Sequence, residues 1–296
     1  MNERRTTLLA SLALLGMAAA WGSTFFLIRD LLERVPTLDF LAVRFAIAGA
    51  VMMAVAPRAI ARLSADSRKH ALVLGLVYGL AQILQTAGLA HTPASVSGFI
   101  TGMYVVFTPL LAAVILRSRI TAITWLAVVL ATAGLAILSL KGLSIGYGEA
   151  LTLVSAVLYA LHIVGLGAWS RPKEALGMSI VQVLVIAVLC FLVTVPDGIV
   201  LPQQTGDWLS VLYMAIVAGA LAMLGQTWAQ AHLPPARSAI IMSMEPVFAA
   251  FFAVTLGGEG VTWRMLAGGS LVLTAMLVVE LMPRRHVEGE VQHIAV

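Results

Sequence analysis

Apolar stretches of roughly 20 residues recur along almost the whole chain, and short polar segments separate them. A helix needs about that length to cross the hydrocarbon of a bilayer, which is about 30 Å thick. Strand-like alternation is absent from the sequence, and backbone polar groups in lipid must be satisfied internally. The pattern therefore predicts ten transmembrane helices, with approximate spans 7–28, 37–56, 70–90, 95–116, 121–140, 147–168, 174–196, 208–231, 236–257 and 262–282.

The composition of the chain points to the same environment. Hydrophobic residues make up 60% of the 296 residues and charged residues only 11%, which is far more apolar than an ordinary soluble domain. We therefore expect an all-α membrane protein. The sole cysteine, Cys190, lies inside an apolar run, so neither an intramolecular disulfide nor a cysteine-based metal cluster is expected. No cofactor and no metal site are predicted.

The positions of the charges predict how the chain is oriented. If the N-terminus is cytoplasmic, thirteen Lys and Arg residues fall on the cytoplasmic side, four fall outside, and Arg44 lies within the second helix. This bias follows the positive-inside rule, so both termini are expected in the cytoplasm. The net charge of +4 is then a topology signal, and no interleaved aromatic residues indicate nucleic-acid binding.

A short segment occurs twice in the sequence. Residues 85–91 are matched by residues 226–232, and identities at the same offset of 141 continue through the apolar stretches that follow. The chain therefore divides into two related halves, 1–141 and 142–296. Each half holds five predicted helices, and because five is odd the second half enters the membrane in the opposite orientation. Such inverted repeats are typical of alternating-access transporters, whose substrate site lies near the middle of the bilayer.

Polar side chains lie in the middle of the third and fourth predicted helices. Tyr78, Gln82 and Gln85 are spaced to share one face of a helix, and so are Thr101 and Tyr104. These groups could bond to neighbouring helices or line an aqueous cavity.

The ninth predicted helix favours the cavity. Ser243 and Glu245 fall near the middle of its span, and Pro246 removes a helical hydrogen bond beside them. Pro109, in the fourth helix, lies one turn from the equivalent position. Broken helices around polar groups are common at transporter sites.

Aromatic residues could form flat walls of such a site. Trp21 and Tyr159 occupy matching places in the first and sixth helices, and Trp228 lies in the eighth. They could equally pack against other helices or lipid. His162, in the sixth helix, could be a hydrogen-bonded core residue or a proton relay.

Two charged residues near the middle of the membrane, Arg44 and Glu245, are costly there and need partners. Glu245 could bind a substrate ammonium or a coupling proton, or it could neutralise Arg44. We favour the ion pair, because it satisfies two costly charges at once. His91 and His232 end the repeated segment, and inversion predicts His91 at the periplasmic face and His232 at the cytoplasmic face. They could lie near opposite ends of one pathway, or they could simply cap helix ends.

The order of several short motifs resembles a known family. Over residues 8–281 the chain is similar to the drug/metabolite transporter superfamily, in its ten-helix branch built from two EamA-type repeats. One departure is Arg117-Ser118-Arg119, where the family often has an acidic residue like Glu259. The matching motifs are Trp21-Gly22, Arg44-Phe45, Pro109-Leu110, Glu245-Pro246-Val247-Phe248 and Gly258-Glu259.

This resemblance implies a secondary transporter in a bacterial inner membrane that exports or exchanges small metabolites, with amino acids, including aromatic ones, prominent among them. We expect a monomer in the lipid bilayer, with a proton as the candidate coupling ion. The candidate substrate-binding residues are Trp21, Tyr78, Gln82, Gln85, Thr101, Tyr104, Tyr159, His162, Trp228, Ser243 and Glu245. The candidate structural or gating residues are Arg44, His91, Pro109, His232 and Pro246.

Other functions make different demands on the sequence. A broad-specificity drug or metabolite efflux carrier would use the same architecture. A membrane-embedded zinc enzyme would need a pair such as H-E-x-x-H, and an ATP-driven pump a Walker A loop, and the sequence holds neither. A channel or helper subunit explains the duplication with midplane helix breaks less well than alternating access does. The chain is not expected to be an enzyme.

Overall fold

Helices account for the regular structure of the chain. The computed structural model describes residues 3–115, 120–139, 146–258 and 260–281, and no strand occurs within these ranges. A 3₁₀ turn, Val195–Asp197, follows α9, and a π-helical segment, Ile216–Leu221, joins α10 to α11. The α-helices are α1 (Glu3–Gly22), α2 (Thr24–Leu31), α3 (Thr37–Val55), α4 (Ala65–Leu89), α5 (Ala94–Thr101), α6 (Tyr104–Ile115), α7 (Ala122–Ser139), α8 (Tyr147–Trp169), α9 (Ala175–Thr194), α10 (Thr205–Ala215), α11 (Ala222–Gln230), α12 (Pro235–Met242), α13 (Glu245–Thr255) and α14 (Trp263–Leu281).

Eight helical stretches in the described ranges are long and apolar enough to cross a membrane. They confirm the all-helical membrane class predicted from the sequence. A shorter apolar stretch, Ala122–Gly134, lies in α7. Large apolar side chains, including those of Val55, Val114 and Leu192, are exposed on the outer faces of the helices, as lipid contact favours and water does not. Four of the eight stretches consist of consecutive shorter helices, namely Arg4–Leu31, Ser97–Ile115, Thr205–Gln230 and Pro235–Thr255.

Two of these stretches are interrupted in the same way. α5 ends at Thr101 and α6 begins at Tyr104, while α12 ends at Met242 and α13 begins at Glu245. At each break a tighter backbone hydrogen bond replaces the helical one, from Met103 N–H to Ile100 in the first and from Met244 N–H to Ile241 in the second. The breaks therefore cost little in unsatisfied backbone groups, and they turn the start of α13 toward the interior.

The most extensive helix contacts join the first half of the chain to the second. α4 packs along α8, α3 along α9, and α7 along α14. The end of α1 approaches α13 closely at Gly22. A Cβ atom added to Gly22 would lie 2.8 Å from both the carbonyl oxygen of Glu245 and the amide nitrogen of Ala249. Glycine at this position thus lets α1 touch the backbone of α13 beside Glu245.

Polar contacts that we call the Arg34 latch tie two loops together. Arg34 Nη2 lies 2.7 Å from Asp207 and 2.6 Å from Asp30. Hydrogen bonding to Asp207 and then to Asp30 raises the pKa of Arg34 above its ordinary value, so Arg34 stays charged at any physiological pH. Close by, the Val200 N–H donates to the Asp39 carboxylate at 2.9 Å.

A second set of contacts, the Glu174 latch, ties two other loops. The Glu174 carboxylate accepts a hydrogen bond from the Ser64 N–H at 2.9 Å and one from the Ser67 hydroxyl at 2.6 Å. Partial burial acts to raise the pKa of Glu174, but these hydrogen bonds outweigh it, so the pKa lies below its ordinary value. Because the folded pKa is depressed, the latch stabilises the fold above the ordinary pKa, and this contribution is lost as the pH falls through the lowered value.

Gly22→Ala should destabilise the fold, because the new methyl group would meet backbone atoms of α13 that cannot rotate away. We expect a loss of about 1–3 kcal/mol, as in other overpacked interiors, seen as a lower thermal unfolding midpoint in detergent. Gly16→Ala is the matched control, because a Cβ added there meets no heavy atom within 4 Å. Equal midpoints for the two variants would contradict the close approach at Gly22.

Candidate functional site

A narrow cavity lies where the broken helices meet, and both halves of the chain line it. About 40 Å³ of it is open to the centre of a water molecule, which is room for a few waters. A larger ligand would require the surrounding helices to move apart. The lining residues are Trp21, Thr24, Phe25, Ile28, Arg44, Tyr78, Gln82, Gln85, Thr86, Leu89, Thr101, Tyr104, Tyr159, Ile163, Gln226, Met242 and Glu245.

Hydrogen bonds hold the polar side chains of α4 in place. The Tyr159 hydroxyl donates to Gln85 Oε1 at 2.7 Å, and Gln85 Nε2 donates to Thr101 Oγ1 at 3.0 Å. Gln82 Nε2 donates to the Tyr78 hydroxyl at 2.9 Å. The face of α4 that carries Tyr78, Gln82 and Gln85 is therefore connected to α5 and α8 and points into the cavity.

His162 supports this wall from behind. Its Nε2 atom lies 2.7 Å from Gln182 Oε1, and its ring stacks on Tyr78 with 4.7 Å between the ring centroids. Gln182 Nε2 in turn donates to the Met178 carbonyl at 3.2 Å. These contacts are those of a buried, hydrogen-bonded residue that fixes the ring of Tyr78.

Arg44 is buried against the π-helical segment. Its Nε donates to the Met214 carbonyl at 3.2 Å and its Nη2 to the Ala218 carbonyl at 3.5 Å. The Trp21 indole N–H donates to the same Ala218 carbonyl at 2.8 Å. A π-helical turn departs from the regular hydrogen-bond pattern of an α-helix. The Ala218 carbonyl belongs to this segment, and the Met214 carbonyl lies just before it. The segment thus serves as an acceptor for side chains from α1 and α3.

The ion pair between Arg44 and Glu245 that the sequence favours is not formed. The salt bridges within the described ranges are those of Arg34. Arg44 instead uses backbone carbonyls and the rings of Phe40 and Phe45, whose centroids lie 5.8 Å and 5.0 Å from its guanidinium carbon. Carbonyl dipoles and ring faces stabilise a cation without supplying a negative charge.

Glu245 is the first residue of α13 and is almost fully buried at the cavity. Tyr104, which holds the equivalent place in the first repeat, interacts with it electrostatically. The Tyr104 hydroxyl makes no hydrogen bond of standard geometry within the described part of the chain. The carboxyl of Glu245 therefore lies at the cavity without a cationic partner among those residues.

The sequence matches the model of the EamA-like transporter family twice, over residues 8–140 and 146–281. The chain belongs to the EamA-like transporter family. It is therefore a multi-pass membrane transporter, and the resemblance seen in the sequence motifs is confirmed. Of the last motif, Gly258 belongs to the described residues. Glu259 and Arg117-Ser118-Arg119 lie outside them.

Similar proteins span nearly the whole length of this EamA chain. An "Uncharacterized transporter" of Archaeoglobus fulgidus is 29% identical over 275 residues, which cover 93% of this chain and 86% of the relative. The "Uncharacterized inner membrane transporter YedA" of Escherichia coli K12 is 24% identical over 280 residues, or 90% of this chain and 89% of the relative. A solved crystal structure superimposes with a TM-score of 0.76 at 18% identity, covering 94% of this chain and 98% of its own, and shows the same fold.

The cavity brings together eight of the eleven residues predicted to bind substrate in this EamA protein. Of the other three, His162 lies behind Tyr78, Trp228 packs its ring against His232, and Ser243 donates to the Ile240 carbonyl of its own helix. Their side chains do not line the cavity. Within the described ranges, no group of three or more His, Cys, Asp and Glu side chains is arranged to hold a metal ion.

The residues predicted to be structural or gating lie in different parts of the fold. Pro246 falls in the first turn of α13, where its missing N–H is not needed, whereas Pro109 lies inside α6. His91 packs against Tyr147 at the start of α8. His232 lies in the turn before Pro235, whose side chain faces Gly167 at the end of α8. The two histidines are therefore placed toward opposite ends of α8.

Gln226 is the most informative cavity residue that the sequence analysis missed. It lies in the repeated segment at the position equivalent to Gln85, so the repeat itself could have identified it. Its Oε1 atom is buried and has no hydrogen-bond partner among the described residues. Apolar lining residues such as Phe25, Ile28 and Met242 had no comparable signal, because any helix of this protein carries residues of that kind.

Tyr159→Phe should destabilise the protein, because it leaves the partly buried Oε1 of Gln85 without its donor. We expect a loss of about 1–2 kcal/mol, read as a lower unfolding midpoint of the purified protein. Tyr147→Phe is the matched control, since Tyr147 is 70% exposed, and the midpoint should stay the same. The same loss in both variants would show that the Tyr159 hydrogen bond does not stabilise the wall.

Proposed function

We propose that the protein is an alternating-access carrier built from two inverted five-helix repeats, 1–141 and 142–296, which together form ten transmembrane helices. The observation that carries this proposal is the cavity at the helix breaks, to which both halves contribute side chains. The breaks support it further, because Thr101 and Met242, and Tyr104 and Glu245, are equivalent positions of the 141-residue repeat. Each half would thus supply one discontinuous helix to the site.

The helix contacts support the inversion. In the repeat, α4 corresponds to α11 and α8 corresponds to α1. The contact of α4 with α8 therefore has its equivalent in the contact of α11 with α1, and both contacts are present. The contacts of α8 with α5 and α6 become those of α1 with α12 and α13, which are present as well. The pairs α3 with α9 and α7 with α14 are exchanged with themselves. A two-fold relation between the halves accounts for this pattern.

The latches support an orientation in the membrane. The Arg34 latch joins the loop after the first predicted helix to the loop after the seventh, and the Glu174 latch joins the loops after the second and the sixth. In a ten-helix chain each of these pairs lies on one side of the membrane. With the basic loops inside, the Arg34 latch is periplasmic, and the Glu174 latch and both termini are cytoplasmic. The printed name of the Escherichia coli relative supports a bacterial inner membrane.

The substrates that we infer are amino acids, including aromatic ones, moved outward by a monomeric carrier. The outward direction and the amino-acid class come from the family resemblance. The cavity offers suitable groups, since amides and hydroxyls can hold polar ends while Trp21, Tyr78 and Tyr159 form flat apolar walls. Glu245 would bind the substrate ammonium or a coupling proton, because it has no cationic partner in the described ranges.

Other functions fit these observations less well. A broad-specificity drug or metabolite efflux carrier would use the same cavity and remains the alternative within the same class. A channel needs a continuous open path, and this cavity holds only a few waters. An enzyme reading would rest on residues 142–146, which match the pattern G-x-S-x-G, but that motif needs a strand before it, and the described chain before this segment is the helix α7, up to Ser139.

Purified protein in proteoliposomes should take up radiolabelled L-phenylalanine with a rate that saturates as its concentration rises, because each cycle moves one bound substrate. Glu245→Gln should raise the L-phenylalanine concentration that gives half-maximal uptake at least about tenfold, since the loss of one charged hydrogen bond is worth about 1.5–3 kcal/mol. Gln203→Glu, a change on an exposed loop, controls for reconstitution. A rate that rises linearly without limit would indicate a channel and contradict the carrier.

Single cysteines at positions 91 and 232 should be labelled from opposite sides of the membrane. The background is Cys190→Ala, which removes a buried thiol at small cost. In right-side-out cells an impermeant maleimide should reach His91→Cys, and His232→Cys should react only after the membrane is opened. Labelling of both positions from the same side would overturn the inverted arrangement.

A further inference from the structure

Two ionisable side chains of opposite type, Arg44 and Glu245, line the same cavity without pairing with each other. Arg44 is 2% exposed and Glu245 is 6% exposed, and both line the cavity. Neither takes part in a salt bridge within the described ranges. Ionising a buried group without a counter-ion is costly, so a ligand group of opposite charge would stabilise the ionised form of each side chain.

Arg44 is only partly satisfied by the protein. Its Nε and Nη2 atoms donate to two backbone carbonyls, and the second of these contacts is long at 3.5 Å. Its Nη1 atom makes no hydrogen bond within the described ranges, and this atom is not fully buried. Because Arg44 lines the cavity, Nη1 keeps donors for a further acceptor. A guanidinium anchored along one edge and open at another is suited to bind a carboxylate.

Two tyrosines line the cavity together with Arg44 and Glu245. Tyr78 and Tyr159 each interact electrostatically with both of these residues. A ligand bound to Arg44 or Glu245 would therefore have a tyrosine ring and hydroxyl close by. This arrangement suits a compact molecule with an anionic group, a cationic group and an apolar body.

Gln226 is a second and independent sign of a ligand. Its equivalent in the first repeat, Gln85, accepts from Tyr159 and donates to Thr101. The residues that correspond to those two partners are Trp21, whose N–H is used by the Ala218 carbonyl, and Met242, which has no hydroxyl. The Gln226 side chain is 2% exposed and its Oε1 has no partner in the described part of the chain. One buried acceptor at the cavity is therefore left for a bound molecule.

We propose that Arg44 is the carboxylate-binding residue of the cavity and that Glu245 binds the ammonium group of the same zwitterionic amino acid. Gln226 Oε1 supplies a further acceptor for that ligand. The assignment rests on the proposed function, because it divides the substrate of that carrier between two residues. A bound substrate would provide a carboxylate for Arg44 and an ammonium group for Glu245. A ligand that lacks either group would leave Arg44 or Glu245 unpaired.

A ligand series on the purified full-length protein in nanodiscs tests this without any substitution. The probes are L-phenylalanine, 2-phenylethylamine, which lacks the carboxylate, and 3-phenylpropanoate, which lacks the amine, with empty nanodiscs as the control for partitioning into lipid. By calorimetry, L-phenylalanine should bind at least about tenfold more tightly than either analogue. Binding of 2-phenylethylamine as tight as that of L-phenylalanine would overturn the carboxylate site.

Variants then assign the charges to residues. Arg44→Gln should abolish the preference for L-phenylalanine over 2-phenylethylamine and keep the preference over 3-phenylpropanoate, and Glu245→Gln should do the reverse. Arg44→Lys should retain part of the preference, because it keeps the charge but not the fork, and it serves as the readout if Arg44→Gln does not fold. Gln203→Glu, on an exposed loop outside the cavity, should leave both ratios unchanged.

The outcomes separate this proposal from the proposed function. If the wild-type protein binds none of the three probes, the amino-acid assignment fails and the division of charges fails with it. If the wild-type protein shows both preferences but Arg44→Gln and Arg44→Lys retain them in full, the amino-acid function stands and the role of Arg44 is overturned.

Discussion

A lipid environment offers no hydrogen-bond partners, and this constraint decides where every polar group of the protein can lie. Large apolar side chains are exposed on the outer faces, and amides, hydroxyls and two ionisable side chains of both halves line one interior cavity. Two breaks in the spanning helices lie at the same cavity. The breaks before Tyr104 and Glu245 face the cavity, and the π-helical segment offers carbonyls to Arg44 and Trp21. Site and irregularity coincide because only there can protein or bound water replace the missing partners.

Differences between the two repeats carry as much information as their similarity. Equivalent positions hold Gln85 and Gln226, Tyr104 and Glu245, and Gln182 and Arg44. In the first and third pairs one member is saturated by neighbouring side chains, as Gln85 is by Tyr159 and Gln182 is by His162. The other member retains unsatisfied hydrogen-bonding capacity at the cavity. A duplicated fold can therefore keep one copy of a residue for structure and leave the other for a ligand.

Much of the fold could be predicted from the sequence, because hydrophobic length and charge placement report directly on a bilayer. The polar stripe of α4 and the break at Glu245 were also visible, since a mid-span amide, carboxylate or proline has few explanations. The partners of Arg44 could not be predicted, because the π-helical segment Ile216–Leu221 leaves no periodic signal in the sequence. Nor could Phe25 and Met242, whose apolar side chains resemble those that face lipid. The inward direction of Gln226 followed from the repeat and could have been predicted from Gln85.

The proposed alternating access requires the Arg34 latch and the Glu174 latch to open in turn, and distances between spin labels test this most directly. Labels at Glu33 and Gln204 flank the Arg34 latch, and labels at Asp66 and Lys173 flank the Glu174 latch, all at exposed positions. In nanodiscs, Arg34→Gln should lengthen the 33–204 distance while the 66–173 distance stays short, and Glu174→Gln should do the opposite. Lengthening of both distances together in either variant, or of neither in both variants, would contradict alternating access through this cavity.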